Sequence, residues 1–358
     1  MTRESVLIVG PSWVGDMVMA QSLFRLLKQT RPDVTIDVIA PAWSEPLIDR
    51  MPELRRALSL PIGHGELKLG LRRRLGKELS QEAYDQAIVL PNSLKSALLP
   101  WFADIPIRTG WRGEMRYGLL NDLRVLDKNQ YPLMIERFAA LGLEAEADLP
   151  RVLPHPKLEV DAAMVAQLCR QHELSENGFL ALAPGAEFGP AKRWPERHYA
   201  KVAEHWLCNG GQVAIFGSDK DRSVAENVRQ QLPPTIAGRC VNLCGKTSLA
   251  QAIDLMSAAT AVVANDSGLM HIAAALQKPL VVIYGSTSPG FTPPLAERVS
   301  VQQIEVDCGP CFQRECPQKH LKCLVELAPE RVIAGLEEVM TPTLGAELQA
   351  INVSGTSE

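Results

Sequence analysis

One rhythm appears twice along this chain. In the second half, apolar runs at 179–183, 212–216, 261–264 and 280–284 stop at Pro184-Gly185, Gly217-Ser218, Asn265-Asp266 and Gly285-Ser286. The first half opens in the same way, with runs at 5–9, 34–39 and 86–90 and breaks at Gly10 and Pro91-Asn92-Ser93. Between the first two runs, Met17, Ala20, Leu23, Phe24 and Leu27 recur at helical spacings of three and four from about Asp16 to Lys28. Continuous β-branched runs alternating with helices specify βαβ units and parallel sheets, hence an α/β fold. In open sheets of this kind, ligands bind beyond the carboxyl ends of the strands.

A length of 358 residues suits two such domains. Pro150, Pro154 and Pro156 mark where the pattern breaks. The expected division is a Rossmann-like domain over 1–155, a linker with a helix over 156–177, a second Rossmann-like domain over 178–340, and a flexible tail over 344–358. With 37 basic against 41 acidic residues, the surface is not that of a nucleic-acid-binding protein. No apolar run approaches the roughly 18–20 residues that span a bilayer, and the N-terminus lacks a signal-peptide pattern. A soluble, cytoplasmic chain is expected.

Several loops carry candidate chemistry. Gly10-Pro-Ser-Trp-Val-Gly-Asp16 has the glycine spacing of a phosphate loop, but Asp16-Met17 replaces the required Lys and Ser/Thr. Asp16 is either a carboxylate favoured by a helix N-terminus or a base able to take a proton from a substrate hydroxyl. Lys192 and Arg193 end a Gly/Pro-rich loop and are suited to a diphosphate, or else are solvated charge. In Asn265-Asp-Ser-Gly-Leu-Met-His271, Asp266 or Ser267 could cap a helix, or the amides of 267–270 could form an anion site. His271 is either a core residue or a phosphate contact. The run 68–77 holds five cations among leucines and reads as a solvated face, or as attraction to an anionic membrane or acidic acceptor. Arg108, Arg112 and Arg116 share a glycine-rich loop with Trp111 and Tyr117, a composition that favours binding.

Four further cysteines, Cys169, Cys208, Cys240 and Cys244, are expected to be small buried residues. Cys308, Cys311, Cys316 and Cys323, with His320 among them, suggest a structural zinc site or a set of reduced or redox-labile thiols. Four thiolates would leave no open position for catalysis.

Taken together, Gly10-Pro-Ser-Trp-Val-Gly-Asp16-Met, Pro91-Asn-Ser-Leu-Lys-Ser96, Gly110-Trp-Arg-Gly-Glu-Met-Arg-Tyr-Gly-Leu-Leu-Asn121, Pro184-Gly-Ala-Glu-Phe-Gly-Pro-Ala-Lys-Arg-Trp-Pro195 and the Asn265–His271 segment resemble glycosyltransferase family 9. These are the ADP-heptose:lipopolysaccharide heptosyltransferases, and the resemblance runs in order from about residue 5 to residue 340. The Trp111–Tyr117 and Glu187–Pro195 segments are similar to the branch that adds the second heptose.

The resemblance implies a GT-B architecture, with two Rossmann-like domains facing a cleft. It implies inverting transfer of L-glycero-D-manno-heptose from ADP-heptose onto the first heptose of the inner core, heptosyl-Kdo2-lipid A. The setting it implies is the cytoplasmic face of the inner membrane of a Gram-negative bacterium, with peripheral membrane contact. The N-terminal domain would hold the acceptor through Lys95, Arg108, Arg112 and Arg116. The C-terminal domain would hold the donor through Asp219, Asp221, Asp266, Ser267, Gly268, Leu269 and His271. Asp16 would be the base, and Lys192 would offset charge on the departing diphosphate. No cofactor would be needed, since the protein's own cations and helix termini stand in for a metal. The competing expectations are a sister heptosyltransferase with another core acceptor and a non-catalytic lipopolysaccharide-assembly scaffold. The Arg108–Asn121 loop argues against the first, and retention of Asp16 with Lys192 argues against the second.

Overall fold

Two six-stranded sheets, parallel at every pairing, organise the protein in a computed structural model that describes residues 4–63 and 65–341. The first contains β1 (Ser5–Val9), β2 (Thr35–Ala40), β3 (Arg56–Ser59), β4 (Gln86–Val89), β5 (Ile107–Trp111) and β6 (Asp122–Arg124). Its helices are α1 (Val14–Thr30), α2 (Glu45–Ile48), α3 (Leu69–Leu79), α4 (Leu94–Phe102) and α5 (Met134–Ala140). Next comes α6 (Ala162–Gln171), where the Asp161 carboxylate accepts from the amides of Ala163 and Met164 and satisfies the helix start.

The second sheet contains β7 (Leu180–Ala183), β8 (Val213–Ile215), β9 (Cys240–Asn242), β10 (Ala261–Asn265), β11 (Leu280–Ile283) and β12 (Val299–Gln302). Between and after these strands lie α7 (Glu196–Cys208), α8 (Arg222–Gln230), α9 (Pro234–Ala237), α10 (Leu249–Ser257), α11 (Gly268–Ala275), α12 (Lys322–Val325) and α13 (Pro329–Met340).

The strand orders are β3-β2-β1-β4-β5-β6 and β12-β11-β10-β7-β8-β9. Counted from its own first strand, each half has the same doubly wound order, so the GT-B expectation is met. In each half the order reverses between two central strands, β1 and β4 or β7 and β10, and a crevice opens beyond their carboxyl ends. The candidate loops after residues 9, 89, 183 and 265 leave from these four ends.

The halves also share a core. Met17, Ala20, Leu23 and Phe24 of α1 belong to one apolar cluster with Met270, Ile272 and Ala273 of α11. Two glycines allow the close approach: a Cβ on Gly15 would lie 2.7 Å from the His271 ring, and one on Gly268 would lie 2.8 Å from Val14. An ion pair of 2.7 Å between Arg50 and the buried Asp254 adds a second tie across the halves. Cys169, Cys240 and Cys244 are buried as expected, but Cys208 is exposed, because it falls at the end of α7. The 344–358 tail lies outside the described residues.

Candidate active site

On the C-terminal side, one buried amide organises the site. Asn265 ends β10, and its Oδ1 accepts from the Trp194 amide (3.1 Å) and the Tyr199 hydroxyl (3.0 Å). Its Nδ2 donates to the Pro184 carbonyl (2.7 Å), so both ends of the 184–194 loop are fixed to one side chain. Within that loop Arg193 donates to the Ala186 carbonyl, and Lys192 Nζ lies 2.6 Å from Asp266 Oδ2. Thr287 Oγ1 donates to the same carboxylate oxygen at 2.5 Å. Asp266 is therefore held as a buried anion by a cation and a hydroxyl, as a charge in a protein interior requires.

That pairing decides the helix start. Neither Asp266 nor Ser267 caps α11, and the Ser267 hydroxyl is buried without a partner among the described residues. The first-turn amides of α11, from Gly268 onward, therefore have no side-chain cap, an arrangement suited to an anion. His271 sits one turn in, fully surrounded, and burial pushes its pKa down to about 4. It is neutral near pH 7 and packs against Gly15 across the two halves, so it adds no positive charge for a phosphate.

Asp16 arrives from the other half, in the first turn of α1. Its carboxyl opens on the cleft but is surrounded closely enough that burial raises its pKa to about 6. The Lys192 charge opposes that shift and the Asp266 charge adds to it. The candidate base and the candidate leaving-group cation thus share one electrostatic site, although 176 positions separate them in sequence.

Beyond Asp16, towards the N-terminal half, lies a cavity of about 670 Å³. Its cations are Arg72, Lys95 and Arg137. Arg72 is only 4% exposed, and its Nε donates to the Leu67 carbonyl (2.7 Å). Arg137 Nε donates to the Tyr131 carbonyl (2.9 Å), and its guanidinium lies 4.7 Å from the Phe291 ring centroid. Because neutral carbonyls and a ring hold these two arginines, their charge is not cancelled by a paired carboxylate.

Of the expected acceptor residues, only Lys95 lines this cavity. Arg116 is buried and donates to the carbonyls of Pro91 and Trp111, and burial lowers its pKa to about 10. It fixes the loop that leads into α4, the helix that carries Lys95, and does not face the cavity. Arg108 donates to the Leu119 and Ile105 carbonyls, and Arg112 is exposed outside the cavity. The two aspartates expected at a ribose are also engaged elsewhere. Asp221 accepts from the Ser218 amide (2.9 Å) and hydroxyl (2.7 Å), while the exposed Asp219 pairs with Arg222 at 2.7 Å. Sequence reasoning missed Arg72 as an individual residue, Arg137 and Thr287. Only Arg72 had a signal, and it lay in a basic run that reads as solvated.

The cysteine expectation needs correction. Cys308, Cys311, Cys316 and Cys323 do line one small cavity of about 70 Å³, and the Cys323 thiol is pushed up by burial and by the other three. Among the described residues, however, no group of three or more His, Cys, Asp or Glu side chains is placed to hold a metal ion. The Cys316 sulfur faces the amides of residues 318–321, with Leu321 acting most strongly on it, and all four cysteines are free thiols. Zinc is therefore not supported.

Comparison with known proteins gives the site its context. Residues 72–322 match the model of glycosyltransferase family 9 (heptosyltransferase). The chain is 48% identical over 342 residues to lipopolysaccharide heptosyltransferase 2 of Salmonella typhimurium, covering 94% of this chain and 98% of that protein. It is similar to the solved structure of Escherichia coli ADP-heptose lps heptosyltransferase II with a TM-score of 0.86 and 46% identity, covering 96% and 99% of the two chains. Identity to lipopolysaccharide heptosyltransferase 1 of Pseudomonas aeruginosa is 24%, over 94% of this chain and 98% of that one.

Proposed function

The chain belongs to glycosyltransferase family 9, the heptosyltransferases, and from that premise we propose how its cleft divides the work of sugar transfer. Its activity is the transfer of heptose onto the heptose of the lipopolysaccharide inner core. Identity of 48% to the second heptosyltransferases against 24% to a first one separates it from the sister activity.

The donor in this reading is ADP-heptose, with its diphosphate lying between Lys192 and the uncapped start of α11. Asp16 takes the proton of the acceptor hydroxyl as that oxygen bonds to the anomeric carbon. The bond from that carbon to the diphosphate breaks on the opposite side, and its electron pair leaves with ADP. The result is inversion. A base with a pKa of about 6 is matched to proton transfer near neutral pH. Lys95, Arg72 and Arg137 face the acceptor, whose carboxylate and phosphate groups suit guanidinium forks. Asp266, paired with Lys192 at 2.6 Å, orients it.

No helix among the described residues is long and apolar enough to cross a membrane. We assign the peripheral contact with the anionic cytoplasmic face of the inner membrane to the start of α3, where Leu67 and Leu69 are exposed beside Arg73, Arg74 and Lys77.

The observation that carries the reading is the meeting of Asp16 from one half with the Lys192–Asp266 pair from the other. The test is ADP release from ADP-heptose, with heptosyl-Kdo2-lipid A and Kdo2-lipid A compared as acceptors. Turnover should require the heptosylated acceptor, and Asp16→Asn should lower kcat by about 10²–10⁴-fold. An Asp16→Asn enzyme with wild-type kcat would remove the base from the mechanism.

A further inference from the structure

The four-cysteine segment is seated on the donor loops. The Ala191 amide donates to the Arg314 carbonyl (3.1 Å), the Phe312 amide to the Ser286 carbonyl (2.7 Å), and the Ser286 amide to the Ala191 carbonyl (3.2 Å). One strip of backbone therefore joins the segment to the neighbour of Lys192 and to the neighbour of Thr287. Gly189 allows this contact, since a Cβ there would lie 2.4 Å from the Arg314 carbonyl oxygen.

From that seat the Arg314 side chain reaches two rings of the cleft. Its guanidinium carbon lies 5.3 Å from the Phe188 ring centroid and 5.9 Å from that of Trp13. Lys192 Nζ lies 5.0 Å from the same Phe188 ring, so the two cations are within about 10 Å of each other. Trp13 directly precedes Val14 and Gly15, which touch Gly268 and His271 at the start of α11. Arg314 thus stands beside Phe188 and Trp13, near Lys192 and next to the segment that meets the start of α11.

The charges there are uneven. The Lys192 charge is already balanced by Asp266 at 2.6 Å. Among the described residues the Arg314 guanidinium has no carboxylate partner; the aromatic faces attract it without neutralising it. A diphosphate arriving beside the Lys192–Asp266 pair would meet one cation whose charge is largely compensated.

We propose that Arg314 is a donor-binding residue whose guanidinium contacts the diphosphate of the nucleotide sugar and carries, with Lys192, the charge that the departing phosphate oxygen gains. This rests on the nucleotide-sugar reading of the cleft given above. The seat selects the diphosphate over the acceptor's anions, because Arg314 is tied to residues 189–191 and 286 and does not line the acceptor cavity. A planar fork suits two phosphate oxygens better than an ammonium does.

The test measures ADP and adenosine binding by calorimetry in the full-length wild type, Arg314→Gln and Arg314→Lys, followed by steady-state kinetics. In Arg314→Gln the Kd for ADP should rise about 10-fold or more, with a smaller rise in Arg314→Lys. Adenosine, which has no phosphate, should bind all three alike. The KM for ADP-heptose should rise while that for the acceptor stays constant. Equal ADP affinity in wild type and Arg314→Gln overturns the proposal, as does a change confined to the acceptor KM. A wild type that binds no ADP would fail at the first step and remove the nucleotide-sugar reading together with this residue's role.

Discussion

The two halves share one topology but prepare their strand ends differently. At the end of β10 two polar side chains are fully committed: Asn265 to Trp194, Tyr199 and Pro184, and Asp266 to Lys192 and Thr287. Beyond the ends of β1 and β4 the cations face an open cavity, and Arg72 and Arg137 rest on neutral carbonyls. A fixed network suits a small ligand of constant shape, because no reorganisation is needed at the moment of reaction. An open, positively charged wall suits a large anionic glycolipid of which only one hydroxyl must be placed accurately. The difference predicts that substitutions within the Asn265–Asp266–Lys192 network act on kcat and stability, and those on the acceptor wall on the acceptor KM.

The largest effect should come from Lys192→Ala. It removes the cation from a buried pair, so kcat should fall by about 10²–10³-fold and stability by about 3 kcal/mol as Asp266 is left uncompensated. Denaturant unfolding and ADP-release kinetics measure both. Lys192→Ala/Asp266→Asn should recover most of the stability and none of the rate. Recovery of the rate would mean that Lys192 serves the fold alone.

A smaller effect is expected across the cleft. Arg137→Gln should raise the acceptor KM about 10-fold and leave the KM for ADP-heptose nearly unchanged. Arg108→Gln, which strips two backbone carbonyls of their donor, should instead lower stability and leave both KM values near wild type. An acceptor KM that responds to Arg108 and not to Arg137 would reverse the assignment of the wall.

These two arginines also mark how far the sequence could be read. Asp16, Lys192 and Asp266 were legible because each sits in a short Gly- or Pro-marked loop directly after an apolar run, where the fold has to place ligands. The sheet centres were legible for the same reason. Strands of three or four residues with polar members, such as β3, β6 and β9, have no periodicity to detect and are set by pairing with a neighbour. Arginine beside aromatics in a glycine-rich loop has the composition of a binding loop, while the forks of Arg108 and Arg116 close on carbonyls of the same neighbourhood, which composition cannot show. Arg137 lies on a short helix with no motif, and only the tertiary packing brings it to the cavity.

The pH profile examines the junction between the halves. With Asp16 near 6, kcat/KM should rise about tenfold per pH unit below that value and level off above it. Lys192 holds this pKa down, so Lys192→Ala should move the midpoint upward. An unmoved midpoint would separate the two residues electrostatically and undo the shared site.

The smallest effect has a sign opposite to ordinary damage. The folded protein holds the Asp16 carboxyl at about 6, against an ordinary value of 3.8, so folding disfavours the charged form. The favourable contribution is fully present below about pH 4 and is lost as pH rises through 6. At pH 7.5 the buried charge therefore costs about 3 kcal/mol, which Asp16→Asn removes. The variant should be nearly inactive yet melt a few degrees above wild type at pH 7.5, and the gain should shrink towards zero at pH 4. Calorimetric melting at the two pH values measures this directly. A gain of equal size at both would trace to packing, and no gain at either would mean that Lys192 fully compensates the carboxylate. The predicted pattern is the thermodynamic mark of a base that the fold keeps poised against its own stability, which no residue of the open wall should show.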